Sequence, residues 1–102
     1  MHGRLQVPDF SEIQRQLKAH RLRVTLARLE VLDALHRVKK KVITRDDLLL
    51  LLGRLGYDTS LPRMNRALRD LVRVGLVLCQ VREDYPTTFR LMPFVVRVST
   101  TL

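Results

Sequence analysis

A chain of 102 residues has room for one domain with one hydrophobic core. Its 19 Lys and Arg residues outnumber its 10 Asp and Glu residues, giving a net charge of +9 that favours a polyanionic partner. No apolar run reaches the roughly 18–20 residues of a membrane span, the start lacks a hydrophobic signal region, and the single Cys79 excludes an internal disulfide. We therefore expect a cytoplasmic protein that does not bind membranes. The aromatic content of 5%, with no Trp, argues against base stacking on single strands or RNA.

The first half of the chain predicts three helices. The first covers about residues 10–20, with Ser11 and Gln14 spaced as a capping box. The second covers about residues 26–38 after the cap Thr25. Its apolar side chains surround most of its circumference, and Glu30, Asp33 and Arg37 form a narrow solvated edge, so it should be the central helix of the core. A possible short strand at residues 42–43 precedes the third helix, which begins at Thr44.

The second half predicts one helix and a hairpin. Gly56 ends the third helix, Ser60 caps the fourth, and Gly75 ends the fourth. The inward face of the fourth helix is formed by Leu61, Met64, Leu68, Leu71 and Val72. Residues 76–81 and 87–91 read as strands around a turn at 83–86, and residues 94–100 as a candidate further strand. This order predicts a mainly α domain with a small β hairpin (α+β), a winged helix-turn-helix covering residues 1–102.

The fourth helix carries an arginine face opposite its apolar face. In a helix-turn-helix, the second helix of the pair enters the major groove, where Arg pairs with guanine and Asn with adenine. We predict base readout by Arg63, Asn65 and Arg66, and phosphate contacts by Arg69 and Arg73, one to two turns further along. The alternative is a solvated arginine face that Asp70 partly neutralises.

Further arginines are candidates for phosphate contacts around this helix. Arg21 and Arg23 precede the second helix, Arg28 lies in its first turn, and Arg82 lies in the hairpin. For each of them, a solvated surface arginine is the alternative. The acidic tip Glu83-Asp84 should oppose deep entry of the hairpin into a groove.

Several stretches together resemble the DNA-binding half of the ferric uptake regulators. HRLRVTLARLEVLDAL at 20–35 is similar to the family's G-L-K-V-T-x-x-R-x-x-I-L-x-x-L, and ITRDDL at 43–48 to its V-S-A-E-D-L. SLPRMNRALRDLVRVGLV at 60–77 resembles the recognition helix G-L-A-T-V-Y-R-x-L-x-x-F-x-x-x-G-I-V, and TTFRL at 87–91 the end of the wing. The resemblance implies a prokaryotic transcription regulator, such as a repressor, that binds a palindromic, A·T-rich operator as a dimer. It supports Arg28 as a phosphate contact and Arg66 as a contact of the recognition helix. Asn65 stands where the family has Tyr.

The family's metal-binding dimerisation domain has no counterpart in the sequence. The histidine that usually precedes the third helix is Val42, while His2, His20 and His36 are scattered and Cys79 stands alone, so we expect no metal site and no cofactor. No Ser/His/Asp set, glycine-rich phosphate loop or pair of carboxylates suggests an enzyme or a small-molecule substrate. Cys79 is expected to be a small core residue.

Five consecutive leucines, at residues 48–52, exceed what one helix face can bury. Leu50 should point away from the core, with Leu49 to its side. Either this helix packs more extensively than expected against the tail strand or the first helix, or the two leucines form a homodimer surface. Val96 and Val98 of the alternating tail are a second candidate dimer surface, by pairing of strand edges.

Three functions are compatible with these features. The first is sequence-specific binding of double-stranded DNA in transcriptional control, without a metal sensor. The second is a protein-interaction module built on a winged helix. The third is an accessory DNA-binding protein of a replication or mobile-element system.

Overall fold

The computed structural model of the protein describes residues 9–38 and 41–92. Its elements are α1 (Phe10–Ala19), α2 (Leu26–His36), β1 (Ile43–Thr44), α3 (Arg45–Arg54), α4 (Leu61–Arg73), β2 (Val77–Arg82) and β3 (Tyr85–Leu91). Helices α3 and α4 form the helix-turn-helix pair, and the β2–β3 hairpin forms the wing. The predicted α+β winged-helix class is therefore confirmed. None of the described helices is long and apolar enough to cross a membrane.

Each of the four helices begins at a side-chain cap. Thr25, Thr44 and Ser60 each accept a hydrogen bond from the backbone N–H three residues later, as their sequence positions predicted. At α1 the prediction was wrong, because Asp9 rather than Ser11 is the cap. The carboxylate of Asp9 accepts from Glu12 N at 3.1 Å, which places Ser11 inside the first turn.

Two glycines end the helices of the helix-turn-helix pair as predicted. Gly56 and Gly75 have φ values of +86° and +87°, the left-handed conformation that reverses a chain after a helix. Helix α2 ends at His36, two residues earlier than predicted.

The core is centred on α2, against which α1, α3 and α4 all pack. Its fully buried side chains come from every helix and from the sheet, and include Ile13, Leu17, Leu32, Leu48, Leu52, Met64, Leu71 and Val77. The solvated edge predicted for α2 is only partly solvated: Arg37 is exposed, whereas Asp33 is only 2% exposed and Glu30 is also buried. Tyr57 and Thr59, in the turn between α3 and α4, donate hydrogen bonds to Asp33 and Glu30 respectively. These bonds fix the turn of the helix-turn-helix pair to the central helix.

The three strands form an antiparallel sheet in the order β1-β3-β2. Ile43 faces Phe89 across β1 and β3, and Val77 faces Leu91 across β2 and β3. The hairpin turn is shorter than predicted, because β3 begins at Tyr85 and only Glu83 and Asp84 remain outside the strands. The candidate tail strand at 94–100 lies outside the described residues.

Leu61 does not belong to the inward face of α4, contrary to expectation. It is the first residue of the helix and is 41% exposed, whereas packing begins one turn later at Met64.

Candidate nucleic-acid interface

Helix α4 buries one face and presents arginines on the other. Met64, Ala67, Leu68 and Leu71 are buried in the core. The side chains of Arg63, Arg66, Arg69 and Arg73 are exposed. At about 100° per residue, Arg66, Arg69 and Arg73 fall within an arc of about 60° opposite the core. We call these three residues the arginine face.

One border of the arginine face is an ion pair between α2 and α4. Arg28 Nη2 donates to Asp70 Oδ2 at 2.8 Å, and both side chains are only 17% and 16% exposed. Arg28 Nη1 also donates to the carbonyl oxygen of Arg23 at 2.7 Å, while Arg73 approaches Asp70 Oδ1 at 3.5 Å. The hydrogen bond from Arg28 lowers the pKa of Asp70, so Asp70 is a carboxylate at neutral pH. The predicted neutralising role of Asp70 therefore applies mainly to Arg28, which is not a free surface arginine.

A cleft of about 190 Å³ opens beside this ion pair. It is lined by Thr25 and Ala27 at the start of α2, by Arg63, Arg66 and Ala67 of α4, and by the ion pair itself. Two exposed arginines and a helix N-terminus thus converge on a concave surface, an arrangement suited to an anion such as a phosphate.

The opposite border of the arginine face contains a residue that the sequence analysis did not identify. Arg45, the first residue of α3, donates from Nε to Asn65 Oδ1 of α4 at 2.8 Å. Its guanidinium carbon lies 5.1 Å from the centre of the Phe89 ring of β3. A signal was present in the sequence, because an arginine in the first turn of a helix is disfavoured by the helix dipole and calls for another explanation.

The remaining predicted arginines lie around this surface. Arg21 and Arg23 are exposed in the segment before α2. Arg21 has a φ of +62°, the left-handed conformation, where it follows the end of α1. In the wing, the guanidinium of Arg82 lies 5.8 Å from the ring centre of Tyr85, beside the exposed Glu83 and Asp84.

Of the two leucines predicted to form a dimer surface, only one is exposed to solvent. Leu50 is 61% exposed, whereas Leu49 is half-buried and packs against the core. Val96 and Val98 lie outside the described residues.

Histidine and cysteine side chains do not form a cluster in the part of the chain that the structure describes. His20 and His36 contact Gln16 through its carbonyl and its side-chain oxygen, respectively. Cys79 is half-buried and packs against the core, as predicted for a small core residue. Across residues 9–38 and 41–92, no three His, Cys, Asp or Glu side chains are grouped as metal ligands.

The fold is similar to that of several solved ferric uptake regulators. The Vibrio cholerae protein, whose structure describes a rearrangement of its DNA-binding domains, gives a TM-score of 0.73 at 28% identity over 79% of this chain and 62% of that one. The Pseudomonas aeruginosa protein, solved with manganese, gives 0.72 at 25% identity over 78% and 59%. The Francisella tularensis protein, solved with iron, gives 0.62 at 22% identity over 70% and 54%, which shows the fold alone.

This chain thus spans about six tenths of the length of the first two regulators. No family model and no curated protein matches the sequence.

Proposed function

We propose that this protein binds double-stranded DNA with sequence preference and regulates transcription. The observation that carries the proposal is the arginine face of α4, the second helix of the helix-turn-helix pair, which is exposed over its whole length. A helix in this position of the fold enters the major groove with its first residues at the base edges. The net charge of +9 supports a polyanionic partner.

Each arginine that the sequence predicted as a contact has a place in this proposal. Arg63 and Arg66, in the first half of α4, read base edges. Arg69 and Arg73 lie further along the helix, where the groove curves away and phosphates come within reach. The phosphate contacts outside α4 are Arg21, Arg23, Arg28 and Arg82.

The similarity to the Vibrio cholerae regulator supports the same proposal, since that protein has DNA-binding domains and this chain matches 62% of it. In the proposed mode, arginine side chains supply the affinity and no resident cofactor takes part. Duplex binding is therefore expected to be the same with and without a chelator.

Selection of bound sequences from random duplex DNA, followed by titration at several salt concentrations, tests the proposal. A handful of phosphate contacts gives a log–log salt slope of about −3 to −6 per monomer. On the selected site, Arg66→Ala is expected to cost about 1–3 kcal/mol, with a much smaller loss on random DNA. Arg54→Ala, which removes an exposed arginine from the last turn of α3, is the matched control.

Two results would contradict the proposal. Binding that does not change with salt would argue for a protein-interaction module, in which the arginine face is merely solvated. Selection that yields no preferred sequence would favour an accessory DNA-binding role.

We further propose that the regulator acts as a homodimer, because one recognition helix reads only a few base pairs. The exposure of Leu50 supports a contact at α3, with the tail residues Val96 and Val98 as the second candidate surface. Sedimentation of the wild type, Leu50→Lys and a chain ending at Met92 distinguishes the two surfaces. A wild type that remains monomeric at high concentration and on DNA would refute the dimer.

A further inference from the structure

We propose that Arg45 binds a backbone phosphate of the duplex and that Asn65 is its positioning residue rather than a reader of adenine. This inference rests on the proposed DNA binding and assigns Asn65 a role different from the one predicted from the sequence.

The position of Asn65 on α4 is the first argument. Asn65 and Asp70 are five residues apart, or about 140° around the helix, and the arginine face lies in the arc between them. Asp70 holds Arg28 on one border, and Asn65 holds Arg45 on the other. A helix in the major groove lies between two phosphate backbones. The two held arginines therefore stand where the two strands would pass.

The bonding of Asn65 is the second argument. Bidentate pairing with adenine requires the Asn carbonyl to accept from N6 while the amide donates to N7. In the structure, the carbonyl oxygen of Asn65 already accepts from Arg45 Nε at 2.8 Å. That bond uses one of the two acceptor positions of the oxygen and turns the amide towards Arg45, so pairing with both N6 and N7 of adenine would require the bond to be shared or broken.

The guanidinium of Arg45 is held on two sides and free on the third. Its Cζ atom lies 5.1 Å from the centre of the buried Phe89 ring, and its Nε donates a hydrogen bond to Asn65. Within the described residues, its two terminal nitrogens make no hydrogen bond. Paired terminal nitrogens of this kind match two oxygens of a phosphate. A guanidinium that is already ordered loses little conformational entropy on binding, so the contact is preorganised.

A double-mutant cycle on duplex binding tests the pair. Arg45→Ala is expected to weaken binding about tenfold, to the same extent on the selected site and on random DNA, and to make the salt slope less steep by about 0.9. Asn65→Ala is expected to weaken binding about three- to fivefold in the wild type and to have no further effect on Arg45→Ala. Arg54→Ala, nine residues along the same helix, is the control for loss of one charge.

Each contrary outcome has a distinct meaning. If Arg45→Ala binds as the wild type does, the phosphate contact does not exist. If it loses discrimination at one G·C pair, Arg45 reads guanine and the phosphate assignment is wrong. If Asn65→Ala has an equal effect in both backgrounds and changes the preference at one A·T pair, then Asn65 reads adenine.

Two further measurements distinguish a wrong inference from a variant that does not fold and from a wild type that does not bind DNA. Arg45→Lys keeps the charge, so it is expected to retain the salt slope while losing part of the affinity, and circular dichroism checks that each variant is folded. If the wild type itself binds no duplex, the proposed function fails, whereas intact wild-type binding with an inert Arg45 overturns this inference alone.

Discussion

Replacing Asp70 with Asn is expected to destabilise the fold and strengthen DNA binding at the same time. Asp70 accepts from Arg28 at 2.8 Å with both side chains mostly buried, and a hydrogen bond to a charged group contributes about 1.5–3 kcal/mol. Asn keeps one carbonyl oxygen as an acceptor, so part of the bond survives. We expect the free energy of unfolding to fall by about 1–2 kcal/mol.

The effect on DNA binding has the opposite sign, because Asp70 is a carboxylate at the border of the arginine face. A phosphate at roughly 7 Å would be repelled by about 0.6–1.2 kcal/mol at an effective dielectric constant of about 40–80. Removal of this charge is therefore expected to raise duplex affinity about three- to eightfold at low salt. It also weakens the internal partner with which a phosphate competes for Arg28, which steepens the salt slope by up to about 0.9.

The pH dependence of stability gives an independent check on the same residue. The hydrogen bond from Arg28 lowers the pKa of Asp70 in the folded state, so the unfolded chain takes up the proton first as the pH falls. The stability that Asp70 contributes is therefore fully present at neutral pH and is lost from about pH 4 downwards. In Asp70→Asn this part of the acid-side loss should be missing.

Urea unfolding followed by circular dichroism measures the first effect, and fluorescence anisotropy of a labelled duplex at several salt concentrations measures the second. Asp58→Asn is the matched control, since it makes the same change in net charge at an exposed position of the α3–α4 turn. Equal gains in affinity for both variants would mean that net charge alone is responsible. Weaker DNA binding by Asp70→Asn would refute the reasoning, because it would make Asp70 part of the interface.

Three further substitutions test separate features of the fold. Tyr57→Phe is expected to cost about 1–3 kcal/mol in urea unfolding, because the buried carboxylate of Asp33 loses a donor. Burial, together with the bond to Asp33, raises the pKa of Tyr57 to about 12, so its contribution is present below about pH 10 and lost as the pH rises towards 12, which absorbance of the phenolate would follow. His36→Gln is expected to reduce the loss of stability between about pH 7 and 5, because burial lowers the pKa of His36 and the unfolded state binds the proton more readily; thermal melts at each pH measure this. Arg21→Gly is expected to raise the free energy of unfolding by about 0.5–1 kcal/mol, because Arg21 occupies a left-handed conformation at φ +62° that glycine adopts without strain; an unchanged or lower urea midpoint would contradict it.

The features that the sequence predicted correctly depend on neighbours close in the chain. The caps Thr25, Thr44 and Ser60 accept hydrogen bonds from backbone groups three residues away. Gly56 and Gly75 end their helices through their own left-handed backbone conformation. Apolar periodicity is also local, which explains why the central place of α2 could be inferred from its composition alone. The order of these local signals was sufficient for the fold class.

The contacts that the sequence did not predict join residues far apart in the chain. Arg28 and Asp70 are 42 residues apart, and Arg45 and Asn65 are 20 apart. The local pattern around Glu30 does not indicate that Thr59 will donate a hydrogen bond to it. The same position on a helix can hold either a buried or a solvated carboxylate, and only the distant partner decides which. The arginine face could thus be identified from the spacing of α4, whereas the partners that hold its borders could not.

The two borders of the arginine face are held by partners of different charge, and this difference carries a functional consequence. Asp70 orders Arg28 but cancels its charge, so a phosphate must compete with a carboxylate for the same guanidinium. Asn65 orders Arg45 through a neutral oxygen and leaves its full charge available. In the proposed complex, Arg45 can therefore bind a phosphate without breaking an internal ion pair, whereas Arg28 must share or exchange its partner. The strand that passes Arg45 is expected to be held first and more strongly, and the strand beside Arg28 only when α4 is fully seated in the groove.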